Sequence, residues 1–432
     1  SYDAAPIKFN HHRKLFACDL AGNYTGATFV EQATYHEYLN SSFAGTSTTC
    51  QSCHMPRLTD AIVIANGYIT LQPRFPFNQH TFAGANSFML KLIKNNKSSL
   101  GVTATDANLD SSIAATMIML QQNSVEFELI NDGLTPDTAF YRVRIRNKAG
   151  HKFPSGYPAR RAVLQFVVTD AVGDTIFQSG IFDPNYRVVG ENPQFNPHYQ
   201  SISQNHVSQI YEMAMGDVNG QFTSVLARAA VLLKDNRIPP DGFTTSSSVY
   251  DTVKVSADAL ADSDFNKTNG VEGSGTDFVH FKVPVGGILG NIQVNARLYY
   301  QSVPPKWLDE MFTYNSTEID TFRNMYNAAD KTPVLVASDS ITNLLTSQVS
   351  VYESNIHIAP TITQDGLISV EIPNHDRILV AEVFDASGKR YALKESSRSS
   401  NKTWMTLPRE RGVYIIRITT RFGSKTVRVM RL

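Results

Sequence analysis

Residues 50–54 read Cys-Gln-Ser-Cys-His, two cysteines separated by two residues with a histidine next in line. This C-x-x-C-H spacing is that of covalent c-type haem attachment. Cys50 and Cys53 can each add a thiol across one vinyl group of a porphyrin while His54 offers an imidazole to its iron. One haem c would then be held by two thioether bonds and one metal bond. A redox C-x-x-C pair or half of a zinc site competes with this reading, but four-ligand zinc needs more thiolates than the one remaining cysteine, Cys18, can supply. Cys18 reads as a buried or unused thiol.

The sixth position of the iron has to be filled from elsewhere. Of the 11 histidines, His80 and His151 are the alternative distal ligands, and His36 is a weaker third. His80 lies in a loop after Pro73 and Pro76, at a helix entrance, while His151 stands between Gly150 and the Phe153-Pro154 turn at the end of a strand. His36 falls on an amphipathic helix face, where a core or supporting role suits it better. Met55 is tied to the wrong face by its neighbour His54, and Met89, Met117 and Met119 occupy helix-packing positions. A Met/His pair would raise the potential relative to two histidines. Arg57, Arg74 or the Arg160-Arg161 pair could meet the haem propionates. Asp262, Asp264, Asn266, Asn269-Gly270 and Glu272 offer oxygens at alternate positions as calcium (Ca) loops do. The glycine comes too late for an EF-hand, so a solvated turn is preferred there.

Behind these residues the chain divides by hydrophobic period. Residues 1–124 read as a helical and loop haem-binding region. Thr28-Phe-Val-Glu31 has the form of a capping box opening a helix to about Asn40, Asn86 is placed to cap a second helix, and a third spans Leu109 to Gln122 with Ile113, Met117 and Leu120 on one face. Ile62 to Leu71 is an apolar stretch that Pro73 and Pro76 interrupt. From Val125 the period becomes two: Tyr141, Val143 and Ile145 alternate with Arg142, Arg144 and Arg146, and Ile292 to Tyr300 alternates likewise. Val163–Thr169 and Thr175–Phe177 flank the turn 170–174 as a hairpin. The fold class expected is α+β multidomain, with a central β-sandwich over 125–350. A long polar insertion at about 185–275 carries strand-like pieces at Val225–Leu233 and Ser248–Val255. Residues 351–432 repeat the strand logic as a small C-terminal β-sandwich, with runs at Leu367–Ile372, Ile378–Phe384, Val413–Thr419 and Lys425–Leu432 and turns at 386–389 and 421–424.

Charge excludes some partners. Lysine plus arginine equals aspartate plus glutamate at 39 each, leaving no net field for nucleic acid or an anionic membrane. No apolar run approaches the roughly 18 residues of a transmembrane helix. The chain begins at Ser1 with neither an initiator methionine nor a signal-peptide apolar core, the mark of a processed or trimmed chain. No phosphate loop, H-E-x-x-H motif or local Ser/His/Asp grouping speaks for a hydrolase or kinase.

Residues from about 25 to 340 resemble the C-terminal part of a family of bacterial multihaem c-type cytochromes. The matching pieces are residues 29–36, Thr49 to Pro56, residues 80–86, Gly150-His-Lys-Phe-Pro-Ser-Gly156 and residues 233–240. The family usually holds more haems upstream, whereas this chain has one C-x-x-C-H. In the relatives the loops of His80 and His151 both face haem, and they could serve different irons.

Residues from about Val351 to Leu432 are similar to the C-terminal sorting domain of Bacteroidota proteins exported by the type IX secretion system. The marks are residues 366–372, Phe384-Asp-Ala-Ser-Gly-Lys389, Arg411-Gly-Val-Tyr414 and a basic terminal strand from Lys425. An ordinary Ig-like accessory domain is the plainer alternative. The resemblance implies export through the periplasm to the cell surface or the medium.

The function expected is electron transfer by a secreted or cell-surface c-type cytochrome, more a carrier than an enzyme. Its partner would be a redox protein or a neighbouring haem subunit. The alternatives are a haem enzyme, such as a peroxidase or oxyanion reductase, and a haem-bearing structural subunit that self-assembles into a surface filament.

Overall fold

The computed structural model describes residues 13–345, save 66, 68, 69 and 289, and residues 356–432, save 373–377, 393, 400–401 and 421–422. It divides into two compact units, 1–344 and 345–432. The expected joint at 350/351 lies outside the described residues, as do the first two residues of the expected turn at 421–424. The architecture is α+β and mostly strand, built from several sheets.

The first unit is centred on two sheets. One orders Ile210–Tyr211, Arg161–Thr169, Gly290–Gln301 and Val334–Leu345, with Thr175–Ser179 also paired to Arg161–Thr169. The other orders Val125–Leu134, Thr138–Asn147, Thr276–Pro284 and the short parallel strand Ser201–Ile202. Along Thr138–Asn147, Ala139, Tyr141, Val143 and Ile145 are buried while the intervening arginines stay partly solvated, as strict alternation requires. Those arginines pair with acids: Arg144 with Glu126 and Glu128, and Arg142 with Asp132. Between the sheets Phe166 stacks on Phe281 with ring centres 3.9 Å apart, and Phe177 meets both rings edge-on. That aromatic cluster is the middle of the sandwich.

The N-terminal region departs from expectation at its start. Tyr24–Gln32 is a strand paired with Arg13–Cys18, and the helix begins only at Thr34 and ends at Leu39. The Thr28/Glu31 capping signal is therefore not used. Thr28, Phe29 and Val30 are β-branched or aromatic, and pairing with a neighbouring strand outweighs a local capping signal. Helices at Ser87–Asn95 and Asp106–Asn123 follow, and the Asn86 side chain accepts from the Met89 amide at 3.1 Å. Within the insertion, the expected strand at 225–233 opens instead as the 3-10 turn Leu226–Arg228 and the strand runs Val231–Asp235, while Tyr250–Val253 is a helical turn and not the expected strand.

The second unit packs the sheet His357–Ala359, Leu367–Glu371, Lys402–Thr406 and Lys394–Arg398 against a second sheet. That sheet comprises Ile362–Thr363, Gly423–Arg431, Gly412–Thr420, Ile378–Asp385 and Arg390–Ala392. Ile368, Val370, Val383, Ile416, Ile418 and Val429 are buried between them.

Candidate haem site

Cys50–His54 form a single helical turn, capped because Ser52 Oγ accepts from the Thr49 amide at 3.0 Å. Residues three apart on a helix are neighbours, so Cys50 and Cys53 share one face, and both are free and exposed. The turn is seated from two directions. The Tyr38 hydroxyl donates to the carbonyls of Phe43 and Thr48, shaping the approach, and the ladder Arg57–Leu58 with Phe77–Asn78 closes the loop behind it. His54 Nδ1 lies 2.6 Å from the carbonyl oxygen of Ala83. A carbonyl can only accept, so Nδ1 carries the proton and Nε2 presents a bare lone pair.

His151 has the same arrangement, its Nδ1 lying 3.1 Å from the Lys152 carbonyl. Burial holds its pKa below the ordinary histidine value, which keeps the ring neutral. The loop that carries it is fastened throughout. Asn147 Nδ2 donates to the carbonyls of His151 and Ile238, and Phe153 and Ile238 exchange two backbone hydrogen bonds. Gly150 allows close packing, since a Cβ there would sit 3.2 Å from both Phe43 and Tyr38.

The rings of His54 and His151 lie close together, with centres 6.1 Å apart and planes 18° from parallel. That separation leaves room for a metal ion, which two imidazoles would hold through bonds of about 2 Å each. The spacing, the two free Nε2 atoms and their backbone-carbonyl supports fit an iron held between two histidines. Between residues 50 and 86, Ala83 is the one buried apolar side chain among the described residues, while Val63, Ile64, Phe75 and Phe82 are exposed. A porphyrin bound here would supply the apolar surface such a segment lacks.

The other sequence candidates go elsewhere. His80 is exposed, its ring 6.4 Å from that of Phe77 and 5.8 Å from that of Phe82. His36 is half-buried on the helix Thr34–Leu39 beside Tyr35. Arg161 is excluded as a propionate partner because it is buried on Gln301 and Glu191, and Arg160 Nη1 donates to the Ser155 carbonyl. Arg57 and Arg74 are exposed. The suggested calcium oxygens turn to separate protein donors: Asp262 to His198, Asp264 to His280, Asn266 to the Gly275 amide and Glu272 to Thr245. They do not form a common cage.

Two buried polar groups escaped sequence reasoning. Immediately behind His151, Glu37 Oε2 accepts from the Lys152 amide at 3.0 Å and Glu37 Oε1 lies 3.0 Å from Arg237 Nη2. Asp235 bridges Arg237 at 2.7 Å and Lys152 Nζ at 2.8 Å. Burial alone would raise the Asp235 pKa, but Arg237 and Lys152 overcome it and hold the carboxyl below its ordinary value. Deeper in the sandwich, His198 Nε2 lies 3.0 Å from Asp262, while Tyr211 donates to Asp277 at 2.6 Å. His198 Nδ1 accepts from the amide groups of Gln209 and Asn236, whose own oxygens accept from the backbone amides of Tyr199 and Glu212. The proton is thereby fixed on Nε2. A metal would need that lone pair, so His198, Asp262 and Asp277 form a hydrogen-bonded network and not an ion site. No local signal marks either group, because their members come from a helix, loops and strands far apart in the chain and charge is ordinarily read as surface.

No family model matches the chain, and no curated protein matches it. Among solved structures it is similar to a penta-heme cytochrome c552 from Thermochromatium tepidum, at 17% identity and a TM-score of 0.38, over 77% of this chain and 54% of that one. HBP35 of Porphyromonas gingivalis matches at 14% identity and a TM-score of 0.20, over 77% and 70%. The Salmonella enterica SafA pilin in complex with its SafB chaperone matches at 11% and 0.16, over 71% and 96%. This chain spans about half the length of the pentahaem cytochrome. With every TM-score below 0.5, none of these likenesses carries an assignment. The case for haem therefore rests on the chain's own residues.

Proposed function

We propose that this protein is a c-type cytochrome that carries electrons through one haem attached at Cys50 and Cys53 and held axially by His54 and His151. The observation that supports it is the close pair of imidazoles, 6.1 Å apart, each with Nδ1 turned to a backbone carbonyl. The haem would supply one-electron ferric/ferrous chemistry. The chain's part is to present two neutral imidazoles on fixed loops, so that little has to move when the electron arrives, and to leave no open position for substrate. The C-terminal unit is proposed as a sorting domain that takes the protein to the cell surface or the medium. The support is its compact two-sheet build with the turn 385–389 and the strand Gly412–Thr420 in the expected order. Among the described residues no helix is long and apolar enough to cross a membrane.

Optical spectra of the purified protein, with and without carbon monoxide, test the assignment. The parent protein is expected to be low-spin and indifferent to carbon monoxide. H151A should turn high-spin and bind the gas, and H80A should leave the spectrum as it was. A high-spin parent would move the reading to a haem enzyme, and an H80A effect in place of H151A would reassign the ligand.

A further inference from the structure

The buried charges behind His151 have a role that the haem reading does not by itself require. Glu37 is 2% exposed, Lys152 0%, Asp235 1% and Arg237 4%, so four ionisable groups are sealed in protein, Lys152 next in the chain to the distal histidine and the other three joined to it through hydrogen bonds and ion pairs. Two are cations and two are anions. Arg237 is the hub, holding Asp235 through Nε at 2.9 Å and Nη2 at 2.7 Å, and Glu37 through Nη2 at 3.0 Å. Glu37 then grips the backbone on which His151 is mounted, through the Lys152 amide at 3.0 Å, and the Lys152 carbonyl in turn receives the His151 Nδ1–H. One carboxylate thus joins the helix Thr34–Leu39, the insertion strand that ends at Asp235 and the histidine loop.

We propose that Glu37 is the positioning residue of the distal histidine and that its charge, balanced against Arg237, sets the iron's potential. This rests on the bis-histidine reading. A buried charge is weakly screened, so an uncompensated cation at this place would disfavour ferric iron and an uncompensated anion would favour it. Removing the Glu37 charge leaves the cluster with one surplus cation, and removing the Arg237 charge leaves it with one surplus anion.

The test is spectroelectrochemical titration of the haem-loaded full chain and of E37Q, R237Q and the double variant. At a fixed electrode potential E37Q should shift the ferric-to-ferrous ratio about tenfold towards ferrous, equivalent to about 59 mV for one electron. R237Q should shift it the opposite way, and E37Q/R237Q should return close to the parent. A merely structural role would move both single variants in the same direction and the double variant furthest. That pattern, or shifts below about threefold in both singles, overturns the proposal. E37D supplies a second measure, since it keeps the charge but shortens the reach: its potential should stay near the parent while its low-spin signal weakens on warming. If E37Q does not accumulate with haem, E37D decides alone, and a parent-like melting of its low-spin signal overturns the positioning role. A high-spin parent spectrum defeats the bis-histidine reading itself. A low-spin parent with immobile variants defeats only the role of Glu37.

Discussion

Asp277 shows how one buried residue fixes a pH response. Its carboxyl is fully buried, and burial pushes its pKa from 3.8 to about 6, with Tyr211 and His198 only partly opposing the shift. Between those values the folded state binds a proton that the unfolded state does not. Stability from this group is therefore fully present below the unfolded value of 3.8 and is lost as pH rises through about 6. Asp277→Asn keeps an acceptor for the Tyr211 hydroxyl and removes the buried charge. It should stabilise the protein by about 3 kcal/mol at pH 8, with the gain shrinking as pH falls through 6 and vanishing near 4. Denaturant titrations at three pH values measure this, and a gain independent of pH would show that Asp277 is ionised throughout or not at all.

At the scale of elements, the segment that leads into Cys50 is held by the insertion and not by its own packing. Ser42 N donates to the Asp241 carbonyl at 2.7 Å, and Asn40 exchanges hydrogen bonds with the Thr244 backbone in both directions. The two segments meet at Gly242, which has φ +80° and whose missing Cβ would lie 2.5 Å from Ser42 N. Alanine there meets both left-handed strain and a backbone collision. Gly242→Ala should cost more than about 2 kcal/mol and expose residues 40–49 to proteolysis. Gly220→Ala, at φ +74° with open space around it, should cost only about 1 kcal/mol and leave that loop protected. Equal losses in melting experiments would mean that strain alone acts and that the contact does not hold the loop.

For the whole molecule, the two units have separate cores, and their sensitivities should separate. Replacing Cys50 and Cys53 together by alanine should abolish the haem stain on denaturing gels and loosen residues 1–124, while the C-terminal unit, whose core among the described residues lies within 356–429, stays resistant to protease. Parallel loss in every region would defeat that division. Removing residues from Val351 onward should leave a low-spin haem protein in the periplasm. Normal appearance of the truncated chain outside the cell would end the sorting proposal and leave an accessory domain.

The C-x-x-C-H motif is legible in the chain because its residues are contiguous: two thiols and an imidazole within five residues need one helical turn and nothing distant. The sandwich strands are legible because one buried face imposes a period of two, which Tyr141, Val143 and Ile145 display without any partner in view. Local signals ended there. Whether His80 or His151 lies beside His54 depends on where a loop 97 residues downstream is pinned, and Asn147 and Ile238 pin it through hydrogen bonds with no sequence period. The strand at Tyr24–Gln32 replaced a capped helix because its partner, Arg13–Cys18, offers a whole ladder against one capping interaction. Glu37, Lys152, Asp235 and Arg237 could not be read as neighbours, since charges are normally placed in water and become tolerable inside only when folding brings opposite signs together. Composition and period therefore reach as far as elements and covalent chemistry, while the partners of buried polar groups are set by the fold that desolvates them.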